Sequence, residues 1–248
     1  MNSKKRTSLI IILVLLAGVG VASYFYFNVP NLSKKSTPSQ LTKITIQDKT
    51  INDNTNPFVI KITYPEIAGL TDFNQKAKAI VDKEILDFKK NSLANDAAVK
   101  ATDPTGYAQF PRQYELDISY DKGEIDNNIT SVVFNIYNFE GGAHGASYFI
   151  PLNYDIKNKK QMVLDDLFPN QLNFLQKISD YCIKDLEKQM VANGSIDMSD
   201  NSWIQEGAGP KGENYRSFLI NKNNIIFYFQ QYQVAAGAAG DFKVTMPR

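Results

Sequence analysis

From Leu9 to Phe27 the chain carries no charged side chain, and a helix through this stretch has no polar face to turn toward water. The run LIIILVLLAGVGVASYFYF is nineteen residues long, and at 1.5 Å per residue it reaches about 29 Å, matching a bilayer core of about 30 Å. Its twelve Leu, Ile, Val and Phe side chains favour insertion by roughly 0.3 to 0.6 kcal/mol each near the helix centre. Lys4, Lys5 and Arg6 stand just before it, so the positive-inside rule keeps the N-terminus cytoplasmic and carries the rest across the membrane. The expected organisation is a cytoplasmic tail at 1–8, a transmembrane anchor at 9–27 and a polar linker at 28–40 containing Pro30 and Pro38. A cleaved secretory signal ending near Val21-Ala22-Ser23 is the competing reading. The anchor is preferred because the apolar stretch runs past that point into Tyr24-Phe25-Tyr26-Phe27, an aromatic cluster suited to a membrane interface.

The remainder is compositionally a folded protein. Lys and Arg number 27 against 26 Asp and Glu in 248 residues; without Lys4, Lys5 and Arg6 the balance is 24 against 26, which gives no basic excess for a nucleic-acid partner. One cysteine, Cys182, makes no intramolecular disulfide, and one histidine, His144, makes no multi-histidine metal site. No cofactor is expected: Gly237 and Gly240 lack the lysine and hydroxyl residue of a phosphate loop and read as turn glycines.

Period-two alternation predicts strands at 41–48 and 57–64, β-branched and aromatic content predicts strands at 112–121, 128–139 and 146–156, and 215–220 with 224–232 read as a hairpin followed by a final strand at 241–246. Apolar residues three and four apart predict helices at 71–92, capped by Thr71 and stapled by Leu70, and at 170–191. Cys182 falls on the apolar stripe of the second helix and reads as structural. Segments 93–111 and 193–214 read as long loops. The class is α+β, a transmembrane helix followed by a mainly antiparallel sheet with two principal amphipathic helices, divided into subdomains at 41–135 and 136–248. Nothing in the sequence specifies an oligomeric state.

The turn Glu140-Gly141-Gly142-Ala143-His144-Gly145 is the most unusual local feature, three glycines in six residues between two strong strands. His144 at its apex either fixes the turn by bonding neighbouring backbone or exchanges a proton or binds an acidic group, with Glu140 as a possible partner. Asp165-Asp166 read as carboxylates capping a short helical turn. Tyr107, Phe110 and Trp203 on the long loops are the candidate contact residues, since exposed rings are costly unless they meet something; the competing expectation is that they tuck back onto the body.

Gly141-Gly142-Ala143-His144-Gly145, Asn153-Tyr154-Asp155, Leu164-Asp165-Asp166-Leu167-Phe168 and Ile225 to Ala235 with Gly240 occur in that order. Together they resemble a bacterial extracytoplasmic family of unknown function, found in the lysozyme-binding anti-sigma factor RsiV and beside the catalytic domain of the peptidoglycan deacetylase PdaC. The resemblance covers about 137–248, and 41–135 is similar in layout to the companion N-terminal domain. It implies an α+β ectodomain that senses or binds. The few residues ahead of Leu9 hold no sigma-binding domain, and a single histidine does not supply the paired histidines of the deacetylase centre. The expected function is a non-enzymatic, membrane-anchored extracytoplasmic module of the envelope that binds a lysozyme-like protein or a peptidoglycan fragment. A hydrolase using carboxylates such as Glu140 with His144 is the alternative.

Overall fold

The computed structural model describes residues 44–109, 112–192 and 201–248. The expected tail, anchor and linker at 1–40 lie outside the described residues, as does Phe110. Among the described residues no helix is long and apolar enough to cross a membrane.

A first sheet has the order β1 (Ile46–Asp53), β2 (Phe58–Ile67), β3 (Tyr114–Ile125), β4 (Ile129–Phe139), β5 (Ala146–Asp155) and β6 (Lys160–Gln161). All neighbours are antiparallel except β2 and β3, which are parallel and joined across the sheet by α1 (Thr71–Thr102). A second sheet is the antiparallel meander β7 (Phe218–Ile220), β8 (Asn224–Phe229) and β9 (Phe242–Pro247). The second long helix, α3 (Phe174–Ala192), follows the short α2 (Pro104–Gln109) and precedes the short α4 (Ser202–Gly207).

Side-chain parity arranges these parts in four layers. On β4, Val132, Phe134 and Ile136 join the core beneath α1, while Val133 points the other way and packs with Leu219 and Tyr228 of the second sheet. Phe218, Ile220, Phe227 and Phe229 form the opposite face of that sheet and pack on Ile178, Cys182, Leu186 and Met190 of α3. Each such side chain, when fully buried, contributes roughly 1.5–3 kcal/mol. Burial pushes the Cys182 thiol up to about 12, so it is an inert core residue.

The second sheet is held to the first by polar side chains as well. Strand β7 is an edge strand, with no further strand to take its outer backbone groups. Asn153 Nδ2 donates to Phe218 O at 2.9 Å, and Ile220 N–H donates to Ser131 Oγ at 2.8 Å. Ser131 and Asn153 are register partners on β4 and β5 and hydrogen-bond each other at 2.5 Å in the interior. At the rim, Asp121 accepts from Tyr228 (2.8 Å) and Lys243 (2.9 Å).

Several expectations shift for tertiary reasons. The edge strand expected at 41–48 lies at 46–53, because pairing with β2 brings it right up to the turn at 54–57. Thr71 makes no capping bond; Leu70 is the N-cap, and the Asn74 amide instead holds both the N–H and the C=O of Ile67. Residues 93–102 continue α1, since Asn95 and Asp96 find partners on the sheet side. Pro104 opens α2 rather than a loop, with Asp103 accepting from Gly106 N–H at 2.9 Å. Within 201–214, α4 and the turn at Gly212–Tyr215 replace the expected loop. Tyr215, expected in a strand, ends that turn with its ring fully buried, and β7 is correspondingly short. Strand β8 ends at Phe229 because the chain turns at Gln230–Gln233. The position 135/136 lies within β4.

Asn153→Ala removes the donor to Phe218 O and takes the acceptor from the Ser131 hydroxyl, which keeps only the Ile220 N–H, so a loss of about 1–3 kcal/mol in urea unfolding is expected. For Asp121, burial acts upward but is outweighed by its bonds to Lys243 and Tyr228, leaving the carboxyl below its ordinary value. Its contribution to stability is therefore full above the unfolded pKa of about 3.9 and is lost as pH falls through the folded value. The stability gap between wild type and Asp121→Asn, followed by thermal unfolding, narrows below about pH 4.

Candidate binding site

The glycine-rich turn joins β4 to β5 and faces two ways. On the α1 side, Gly141 at φ +92° lies against Tyr114: a Cβ there would come within 2.8 Å of the ring. Arg112 donates to Gly141 O at 3.3 Å. The Glu140 carboxylate accepts from Asn138 at 3.2 Å and Asn91 at 3.5 Å, and its carbonyl accepts from Asn95 at 3.0 Å. Burial raises the Glu140 pKa against the Asn91 bond, and the charges of Asp87 and Glu84 push the same way.

His144 is exposed and turns to the other sheet. Its Nδ1 lies 2.8 Å from Gly145 O. A carbonyl only accepts, so Nδ1 carries the proton, and in the neutral ring Nε2 accepts from the Tyr232 hydroxyl at 3.2 Å. Among the described residues no hydrogen bond or ion pair joins His144 to Glu140. The acid–base couple considered from the sequence is thus a pair of groups with separate partners.

Tyr232 lies in the turn after β8 with φ +69°, an uncommon conformation for a residue with a side chain. Its ring rests on Gly237, where a Cβ would be 2.1 Å from the ring. Gly145 plays the same part for Tyr137, at 2.4 Å. Two glycines therefore let two aromatic rings lie directly on backbone, and both rings remain exposed, Tyr137 by 38% and Tyr232 by 51%. Neither tyrosine is singled out by sequence pattern; the signal for Tyr232 was its place inside a motif.

Beside this surface is a cleft of about 490 Å³, lined by Phe149, Pro151, Glu213, Arg216, Gln230 and Gln233 among others. It shares the Gln230–Gln233 turn with Tyr232. Gln233 holds its wall, donating to Gly207 O and Asn214 O and accepting from Gln230 N–H. The Phe149 ring packs against Tyr228 at 5.0 Å, with Lys243 over both.

The other candidates lie elsewhere. Tyr107 tucks back: its hydroxyl donates to Asp96 (2.7 Å), as does that of Tyr114 (2.5 Å), and these bonds, Tyr114 first, hold the Asp96 carboxyl below its usual range. Trp203 on α4 is 45% exposed, on a helix tied to α3 by Asn201 and Glu187 and outside the cleft lining. Asp166 accepts from Val163 N–H and pairs with Lys160 at the start of the turn Leu164–Leu167. Among the described residues no cluster of His, Cys, Asp and Glu is arranged to hold a metal ion.

Residues 51–147 match the family described as Deacetylase PdaC, and residues 165–248 match the family described as Protein of unknown function (DUF3298). The chain pairs a PdaC-type region with a DUF3298-type region. The resemblance read from its ordered motifs is borne out. It is 27% identical over 217 residues to the peptidoglycan-N-acetylmuramic acid deacetylase PdaC of Bacillus subtilis, covering 88% of this chain and 43% of that protein. It is 26% identical over 143 residues to immunogenic protein MPT64 of Mycobacterium tuberculosis (56% of this chain, 59% of that one). It is 24% identical over 138 residues to esterase Rv3036c of the same organism (54% and 57%). The chain thus spans less than half of PdaC and less than two thirds of the other two. Among solved structures, a DUF3298 family member from Bacteroides fragilis superposes with a TM-score of 0.55 at 16% identity, covering 83% of this chain and 90% of that one. A DUF3298 family protein from Pseudomonas aeruginosa gives 0.52 at 12% identity (82% and 90%). These two share the fold. His144 lies in the PdaC-type region and Tyr232 in the DUF3298-type region, so the two regions meet at this contact.

Gly237→Ala forces the exposed Tyr232 ring aside without touching the core. The variant is expected to unfold within about 1 kcal/mol of wild type, while the His144 ring resonances in NMR spectra shift as the Tyr232 contact is lost.

Proposed function

We propose that this chain is a non-enzymatic binding module of a bacterial envelope, held in the membrane by residues 9–27 with its body on the extracytoplasmic side, and that its ligand is the cell-wall glycan. The observation that carries this is the His144–Tyr232 contact, which assembles an exposed aromatic surface beside a cleft of small-ligand size. An aromatic face is electron-rich and apolar, and it suits the flat C–H face of a sugar ring, while the Tyr232 hydroxyl oxygen, which His144 leaves free to accept, and the Gln230 side chain at the rim offer hydrogen bonds to hydroxyl and acetamido groups. The similarity to a protein named for its action on peptidoglycan supports the ligand class. The uncharged rings, rather than a charged patch, are the main recognition elements in this reading.

The test is co-sedimentation of the detergent-solubilised full-length chain with purified peptidoglycan sacculi. Wild type is expected to be retained, and Tyr232→Ala and His144→Ala to bind about fivefold more weakly each, a loss of roughly 1 kcal/mol per contact. Equal retention of wild type and both variants overturns the site. No retention of wild type, with capture of lysozyme in its place, overturns the glycan in favour of a protein ligand. Turnover of the sacculi that disappears in His144→Ala overturns the non-enzymatic reading in favour of the carboxylate and histidine hydrolase.

A further inference from the structure

The cleft beside the aromatic surface carries charges that the fold does not use. Arg216 and Glu213 line it and are exposed, and among the described residues no hydrogen bond or ion pair engages either side chain. The backbone that carries them is nevertheless fixed. Both lie on or just after the turn Gly212–Tyr215, which is locked by the Tyr215 hydroxyl donating to Ala208 O and by the Asn214 amide donating to Glu206 O and Gly209 O at 2.9 and 3.0 Å. Gln233 ties the same turn to the opposite wall through Asn214 O at 3.0 Å. Phe149 and Pro151 supply an apolar wall. A guanidinium on a fixed stretch of backbone, without an internal partner, next to apolar surface and the Gln230 amide is an arrangement for a planar acid group on a partly apolar ligand.

We infer that the cleft is a carboxylate-recognition site in which Arg216 anchors an acid group of a peptidoglycan peptide stem. This rests on the proposed glycan reading for the ligand's origin and adds to it the chemistry that tells a muropeptide from an uncharged sugar chain. Ala methyl groups of the stem lie against Phe149 and Pro151, Gln230 bonds the peptide amides, and Glu213 receives an amino group where the stem carries one.

Isothermal titration of the full-length chain in detergent micelles uses muramyl dipeptide (acid on the peptide), free N-acetylmuramic acid (acid on the lactyl ether) and chitotetraose (no acid). Muramyl dipeptide is expected to bind tightest and to weaken with added salt; Arg216→Gln weakens it about tenfold, as loss of a charge-assisted hydrogen-bonded pair does. Arg216→Lys recovers part of the loss, Glu213→Gln binds this amine-free probe as well as wild type or better, and chitotetraose is insensitive to all three. Equal affinity of wild type and Arg216→Gln for muramyl dipeptide overturns the inference, as does a preference for N-acetylmuramic acid, which assigns the acid to the lactyl group. Chitotetraose binding that depends on Tyr232 while Arg216 is silent leaves the glycan reading standing and this site refuted. The reverse pattern supports the Arg216 site and overturns the aromatic platform.

Discussion

Everything beyond the first sheet hangs on an edge strand, β7, whose outer side has no strand beside it. A buried backbone N–H or C=O without a partner costs about 1–3 kcal/mol, and β7 would expose two such groups to an apolar interior. Ser131 and Asn153, neighbours across β4 and β5, stand in for the missing strand. Because side chains alternate at period two, a slip of one residue in either strand would bring Val132 or Leu152 to that place and leave β7 unsatisfied. The polar pair therefore fixes where the second sheet sits. It thereby also fixes where β8 ends and where the turn carrying Tyr232 meets the turn carrying His144.

That dependence shapes the chemistry of the site. The glycines at 145 and 237 allow rings to lie on backbone, and the His144 and Tyr232 rings meet tilted by 31° with centroids 6.2 Å apart. The positive φ of Tyr232 is held by the Gln230–Gln233 turn, the same segment that walls the cleft. Aromatic surface and charged cleft are thus two sides of one rigid loop. Glu140, in contrast, is absorbed by α1, where amide donors and partial burial give it a structural setting.

Much of the fold was readable from spacing. The stripe Ile178, Cys182, Leu186 and Met190 placed α3 and buried the thiol, and β-branched and aromatic content placed β4 and β5 with the turn between them at 140–145. The failures share a cause. Residues 93–102 carry small alanines rather than a stripe of large apolar side chains that would read as a packed helix, yet Asn95 and Asp96 are bound by groups from the sheet and the glycine-rich turn. Tyr215 has strand-like neighbours but its ring plugs the core above Phe227 and Phe229. Polar partnership at long range leaves no periodic trace. Arg216 and Glu213 were invisible for the same reason: an isolated charge near a short strand is ordinary until a cleft forms around it.

Local chemistry settled the class of fold, the two amphipathic helices, the inert cysteine and the tight turn around His144, because periodicity and glycine content act over a few residues. Which groups face one another was left to packing. His144 and Glu140, four residues apart, end with separate partners, whereas His144 and Tyr232, 88 residues apart, touch. The reason is geometric: strand pairing and the Ser131–Asn153 clasp determine which turns converge, and those contacts exist only once the two sheets are stacked.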